Sequence, residues 1–240
     1  MGRSSFDQAL AALQQEILRM GTLVEKAVQL SVQSLQDRDH ELARQVIEED
    51  DLVDRLEVEL EERCMRLIAL QQPLAGDLRT IGTVLKVITD LERVADYATN
   101  IAEMTVRLAK EPPARLPMDL TRMAGLTQRM LRESLDAFVN RDVELAEAVV
   151  RADDPVDEAF SSLYEELMAF VLGRPSEPQA VRQAIHLAFA ARYLERIADH
   201  ATNIAERVIY MVTGKRLAHQ MKERILGGSS RAQAHPNLHG

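Results

Sequence analysis

Tryptophan is absent from the 240 residues of this chain, and Phe and Tyr together make up only 4% of it. A core here cannot lean on large rings. It must be built from Leu, Val, Ile, Ala and Met, which suit close-packed helices. Cysteine occurs once, at Cys64, which excludes an internal disulfide. Long apolar runs are missing too: each is short and cut by charge, so no segment is expected to span a bilayer. The opening MGRSSFDQAL carries no apolar stretch of signal-peptide length. There is no CxxC pair, no glycine-rich phosphate loop and no Glu-x-x-His helix pair. A cytoplasmic location is the simplest expectation.

Positive charge is also in deficit, with a formal net charge of -9. Nucleic acid would repel such a chain unless it carried a local basic patch. The one basic cluster, Lys215, Arg216, Lys222, Arg224 and Arg231, lies in a tail rich in Gly and Ser towards its end. Residues 214–240 are therefore expected to form a flexible basic tail, and nucleic acid is not expected as a partner.

What the chain does have is a duplication. LERVADYATNIAE at 91–103 returns as LERIADHATNIAE at 194–206, changing only Val94 to Ile197 and Tyr97 to His200. The same offset of 103 residues aligns Asp37-Arg38-Asp39 with Asn140-Arg141-Asp142, Asp50-Asp51 with Asp153-Asp154, and Arg79 with Arg182. One offset held over such a distance means two copies of one structural unit.

Each unit reads as three long helices. In the first, Leu10, Leu13, Ile17, Met20, Val24 and Val28 share one face of a helix over 5–35. A second helix, striped by Leu42, Val46, Val53, Leu56 and Leu60, runs to about residue 70. Pro73 and Gly76 mark a turn, and a third helix follows over 77–110. Pro112, Pro113 and Pro117 then make a stiff linker. The second unit repeats the plan over 118–139, 142–172 and 178–213, with a turn at Gly173-Arg174-Pro175-Ser176 and Gly214 as a C-cap. The expected fold is all-α: a tandem, pseudo-symmetric pair of antiparallel three-helix bundles over 5–111 and 118–213.

Acidic residues four apart share a helix face. Glu92 with Asp96 is such a pair, and so is Asp50 with Asp54 on the preceding helix, continued by Glu57 and Glu61. In an antiparallel hairpin, residues equidistant from the turn lie at one level. Asp50 and Asp96 are equidistant from Pro73, as are Asp54 and Glu92. Asp153 with Asp199, and Asp157 with Glu195, are equidistant from Ser176. Each hairpin thus puts four carboxylates at one height, at the edge of its apolar face. Whether the two stripes face each other depends on the hand of the bundle, which the sequence leaves open.

Four crowded carboxylates stay ionised only if something positive joins them: protons, Arg side chains or metal ions. An all-oxygen set suits hard cations such as Mg, Ca, Mn or ferric iron. One isolated pair is ordinarily a solvated face; four pairs, matched and duplicated, point further. A carboxylate-bridged metal enzyme and a metal-free adaptor whose acids bind only Lys and Arg are the rival readings. The other candidates are weaker. His200 replaces Tyr97, so the fold does not need histidine there, and an accessory role near the acids is its functional reading. His40 is expected on the surface, and His186 on the surface or in the core. Arg79 and Arg182 are expected to pair with acids of neighbouring helices, and Met20, Met65 and Met123 to fill the core.

The string QQPLAGDLRTIGTVLKVITDLERVADYATNIAE and its second copy ending ARYLERIADHATNIAE resemble the PhoU family of accessory and regulatory proteins of phosphate-specific transport. FDQALAALQQEILRMGTLVEKAV fits that family too, and the resemblance covers 5–214. It implies a cytoplasmic, non-enzymatic negative regulator that links the ATPase subunit of a phosphate ABC transporter to a phosphate-sensing histidine kinase. Contact with the membrane would run only through those partners, and an exposed apolar bundle face suits a homodimer. The resemblance also implies multinuclear iron or zinc clusters, with Mg or Mn as alternatives. Asp50, Asp54, Glu92 and Asp96 would form one site, and Asp153, Asp157, Glu195 and Asp199 the other. Phe160 and Tyr164 replace Glu57 and Glu61 in the second unit, so the two sites are expected to differ.

Overall fold

The computed structural model describes residues 3–112, 120–174 and 176–216. Its helices are α1 (Arg3–Asp37), α2 (His40–Gln71), α3 (Ala75–Leu108), α4 (Thr121–Asn140), α5 (Val143–Arg151), α6 (Asp153–Gly173) and α7 (Pro178–Thr213). No strand occurs among the described residues, and no helix there is long and apolar enough to cross a membrane. The linker prolines Pro113 and Pro117, the turn residue Pro175 and the tail residues Lys222, Arg224 and Arg231 lie outside the described residues.

The duplicated turn sequences fold alike. After α1, Arg38 takes a left-handed conformation at φ 54°, and after α4 Arg141 does the same at φ 52°. The next backbone N–H reaches back five residues in each case, Asp39 to Ser34 O at 2.9 Å and Asp142 to Ala137 O at 3.0 Å. That bond closes the helix end in the Schellman manner without a glycine. Asp39 then accepts from the N–H groups of Glu41 and Leu42, and Asp142 from that of Leu145, so each aspartate caps the following helix. Gly214, left-handed at φ 71°, caps α7, where a side chain would be strained.

The second unit departs from the expected continuous helix over 142–172. It breaks at Ala152 into α5 and α6. Pro155 supplies the reason: it has no N–H to donate to the carbonyl of Arg151, and its ring crowds that carbonyl. The equivalent position of the first unit is Leu52, and α2 runs unbroken.

Leu13, Ile17, Met20, Val24 and Val28 of α1 are buried with Ile88, Leu91, Ala95 and Ala98 of α3. One apolar cluster reaches through both units, because α3 packs against α7 along their length and α1 against α4. Gly21 permits the second approach: a Cβ there would lie 2.8 Å from Leu135 Cδ1. Met20 and Met123 fill the core as expected, whereas Met65 is 55% exposed because it falls on the outer face of α2. Along α3 and α7, Tyr97 faces His200 across the pseudo-two-fold relation, with ring centroids 5.8 Å apart.

Candidate functional site

The acid stripes of each hairpin face one another. Burial lifts the Glu92 carboxyl to about 7, and the negative charge of Asp96 on its own helix adds to the rise. Arg93 opposes it, while Glu57 and Asp54 of α2 push it further. Asp50 is raised by burial, then by Asp54, and across the hairpin by Asp96. Asp54 with Glu92 and Asp50 with Asp96 are pairs whose levels the sequence equates; Glu57, which acts on Glu92 more strongly than Asp54, is not. In the second unit Glu195 is raised by burial, held back by Arg192, raised by Asp199, held back by Arg196, and raised by Asp157 of α6. Asp153 opens α6 at its first residue, where its counterpart Asp50 sits in mid-helix, and it engages a partner of its own.

Arginines of the same helices lean over these acids. Arg93 Nη1 donates to Asp96 Oδ2 at 2.9 Å, and its duplicate Arg196 donates to Asp199 Oδ2 at 3.1 Å. Arg192 Nη1 bonds Glu195 Oε2. Arg93 Nε also lies 3.2 Å from Glu92 Oε2, but out of line for a hydrogen bond, so that buried oxygen has no donor. Two buried hydroxyls, Thr99 Oγ1 and Thr202 Oγ1, likewise have no hydrogen-bond partner. They are equivalent under the offset of 103 and sit within a turn of the acid pairs. Thr99 is near enough to Asp50 to temper its rise, yet outside hydrogen-bond geometry. Sequence reasoning passed over both threonines, although their identity in the two ATNIAE strings was a usable signal.

No three His, Cys, Asp or Glu side chains among the described residues stand close enough together to hold a metal ion as placed. The donor set nevertheless fits a hard cation. It is all oxygen, the crowded carboxyls resist ionisation, and Glu92 Oε2 lacks a donor. Gathering four oxygens on one ion in each unit would require the Arg93, Arg192 and Arg196 side chains to swing away, and all three are partly exposed.

The three histidines among the described residues do not join the acids. His200 Nδ1 is 2.9 Å from Asp90 Oδ1, at the contact of the two units. His40 is exposed beside Glu41 at 3.1 Å, and His186 is half-buried. Arg182 meets Glu111 at 3.0 Å, as expected of it, but Arg79 meets no acid among the described residues and its buried Nε has no hydrogen-bond partner.

The PhoU domain family model matches residues 17–105 and again 120–208, two stretches displaced by the same 103 residues. The chain is 42% identical over 216 residues, 90% of its own length and 96% of the relative's, to the phosphate-specific transport system accessory protein PhoU homolog of Aquifex aeolicus. It is 37% identical to the homolog of the same description from Clostridium acetobutylicum, covering 90% of this chain and 98% of that one. The crystal structure of PhoU from Pseudomonas aeruginosa superposes with a TM-score of 0.83 at 38% identity, covering 88% of this chain and all of that one. The phosphate transport system regulatory protein PhoU from Streptococcus pneumoniae superposes at 0.80 with 28% identity, covering 89% and 99%. With its duplicated three-helix plan matched in both copies, the chain belongs to the PhoU family.

Proposed function

We propose that this protein is a non-enzymatic accessory protein of a phosphate-specific transport system. In this reading it is a metal-binding adaptor that joins the transporter's ATPase subunit to a phosphate-sensing histidine kinase and restrains phosphate-starvation signalling. The accessory role is supported by the relatives' descriptions, at identities reaching 42% over nine-tenths of the chain. The observation that carries the metal reading is the coupling of acids across each hairpin, Asp54 with Glu92 and Asp157 with Glu195.

Asp50, Asp54, Glu92 and Asp96 would hold a cation in the first unit, and Asp153, Asp157, Glu195 and Asp199 in the second. Iron or zinc is the family's expectation, Mg or Mn the alternative. A bound cation supplies the positive charge that keeps four neighbouring carboxylates ionised. Without it, Arg93, Arg192 and Arg196 partly neutralise them. Glu57 adds charge to the first site, where the second has Phe160, so the first is expected to bind more tightly. Leu70 and Leu172, exposed near the tips of the two hairpins, offer apolar contact to a protein partner.

The decisive experiment is co-purification at high phosphate with the ATPase subunit and with the kinase. Retention of both supports the adaptor; failure with both removes it. The arginine–carboxylate pairs at 2.9 Å and 3.1 Å favour a second reading, an adaptor whose acids bind only arginine. Elemental analysis of untagged protein separates the two.

A further inference from the structure

The two ends of the α3–α7 interface are related by the duplication, and they are not alike. At one end, Arg182 of α7 is paired with Glu111, just beyond α3, at 3.0 Å, and Arg107 is paired with Glu103 at 2.9 Å. At the other end, Arg79 of α3 takes the place of Arg182, and Gly214 takes the place of Glu111. Arg79 has kept its position while losing its acid. A Cβ at residue 214 would lie 3.5 Å from Arg79 Cζ, so the guanidinium occupies the space beside the missing carboxylate.

Three cations gather further along. A cleft of about 440 Å³ between α3 and the end of α7 is lined by Lys86, Arg207, Tyr210 and Arg216, together with Asn203 and Glu206. Their equivalents at the closed end include Phe189 for Lys86 and Met104 for Arg207. Lys86 has no ion pair among the described residues. Arg216 lies over the ring of Tyr210, 5.7 Å from its centroid. Arg207 spends its Nε on Asp90 at 2.7 Å, which leaves the two terminal nitrogens of its fork. Such a surplus is out of character in a chain of net charge -9.

Two further groups on α3 are polar, buried and unpartnered. Lys86, Thr83 and Arg79 follow one another at helical spacing on one face. Thr83 is 3% exposed, and its hydroxyl has no hydrogen-bond partner. Neighbouring threonines close that demand on their own helix, Thr80 on Gly76 O at 3.2 Å and Thr89 on Leu85 O at 3.2 Å. Arg79 Nε is orphaned in the same way. The negative end of the α7 dipole accounts for a cation beside Gly214. It does not account for an unused buried donor, nor for Lys86 and Arg216. Neither buried group lines the cleft; they show that this flank of α3 carries more polar groups than the chain itself pairs.

We propose that this cleft binds a small tetrahedral oxyanion of the phosphate or sulfate class. Lys86, Arg207 and Arg216 supply charge from the lining of the cleft, and Arg79 adds positive charge from the same face of α3, outside that lining. Guanidinium and ammonium donors match tetrahedral oxygens, and charge-assisted bonds of this type are the strong ones. The inference is independent of the acid stripes and of the proposed accessory role.

The test is calorimetric titration of inorganic phosphate, and separately of sulfate, into the full chain after chelator treatment, which removes any ion that would bind anions at the acids. The expected result is saturable binding of one anion per chain, weakening as ionic strength rises. Lys86→Gln, on an exposed side chain, weakens it about tenfold or more. Arg79→Gln, outside the lining, weakens it less. Gly214→Asp restores a carboxylate beside Arg79, at a position where Asp tolerates the left-handed backbone, and weakens binding. Arg182→Gln, at the closed end, leaves affinity unchanged. The proposal is overturned by absence of saturable binding for both anions, by binding indifferent to Lys86→Gln, or by equal loss in Arg182→Gln. If Arg79→Gln fails to fold by circular dichroism, Lys86→Gln and Gly214→Asp decide the matter.

Discussion

Asp90 of α3 accepts from Arg207 Nε of α7 at 2.7 Å, and with its side chain only 7% exposed it is the most buried carboxylate in the contact between the two units. His200 approaches its other oxygen at 2.9 Å. Under the duplication this pair has no copy, since Tyr193 stands for Asp90 and Tyr97 for His200, and there the two rings stack at 5.8 Å. One flank of the central contact is therefore ionic and the other aromatic. Arg207→Met strips a charged donor from a buried carboxylate and should lower stability by about 1.5–3 kcal/mol. Urea unfolding midpoints check it, and a midpoint unchanged in the variant would show that His200 alone satisfies Asp90.

Glu92 gives the chain a pH signature. Its folded value of about 7 stands above the ordinary 4.5. A raised carboxyl means that the folded state binds the proton more tightly than the unfolded state. Its contribution to stability is therefore fully present below pH 4.5 and is lost as pH rises through about 7. Glu92→Gln removes this dependence. In chelator-treated protein, its stability above pH 7 should exceed that of the parent, and the fall between pH 4.5 and 7 should flatten. Parallel pH profiles for the two proteins would remove Glu92 as the source.

Metal content separates the two units. On the proposed metal reading, Glu92→Ala with Asp96→Ala should remove the metal of the first unit alone, and Glu195→Ala with Asp199→Ala that of the second. Elemental analysis after identical loading reads both. Unchanged metal in either double variant would strike its residues from the set of ligands.

Cys64 should be inert. It is fully buried, and burial pushes its thiol up to about 12, with Glu61 adding to the rise. The thiolate is the reactive form, so a maleimide or disulfide reagent should label native protein only as fast as it unfolds. Rapid labelling at neutral pH without denaturant would show that α2 opens locally around residue 64.

Much of this architecture was legible because helices report on themselves locally. The stripe Leu13, Ile17, Met20, Val24 and Val28 identified the buried face of α1, and the constant offset supplied the second unit. The break at Ala152 was also written in the chain, since Pro155 cannot donate to Arg151, but the apolar pattern continues through it and hid it. Met65 was misplaced because a methionine at an outer helical position looks the same in sequence as a buried one.

The sequence alone determined the helices, the duplication and the level at which each hairpin gathers its acids, because helical spacing and equal distance from a turn are properties of the chain itself. Tertiary structure decided the hand that turns Asp54 towards Glu92 and Asp157 towards Glu195. It also decided which cations meet an acid: Arg182 finds Glu111, while Arg79 finds Gly214. Burial and pairing across α3 and α7 depend on how two helices far apart in sequence pack together, and no spacing along one chain encodes that distance.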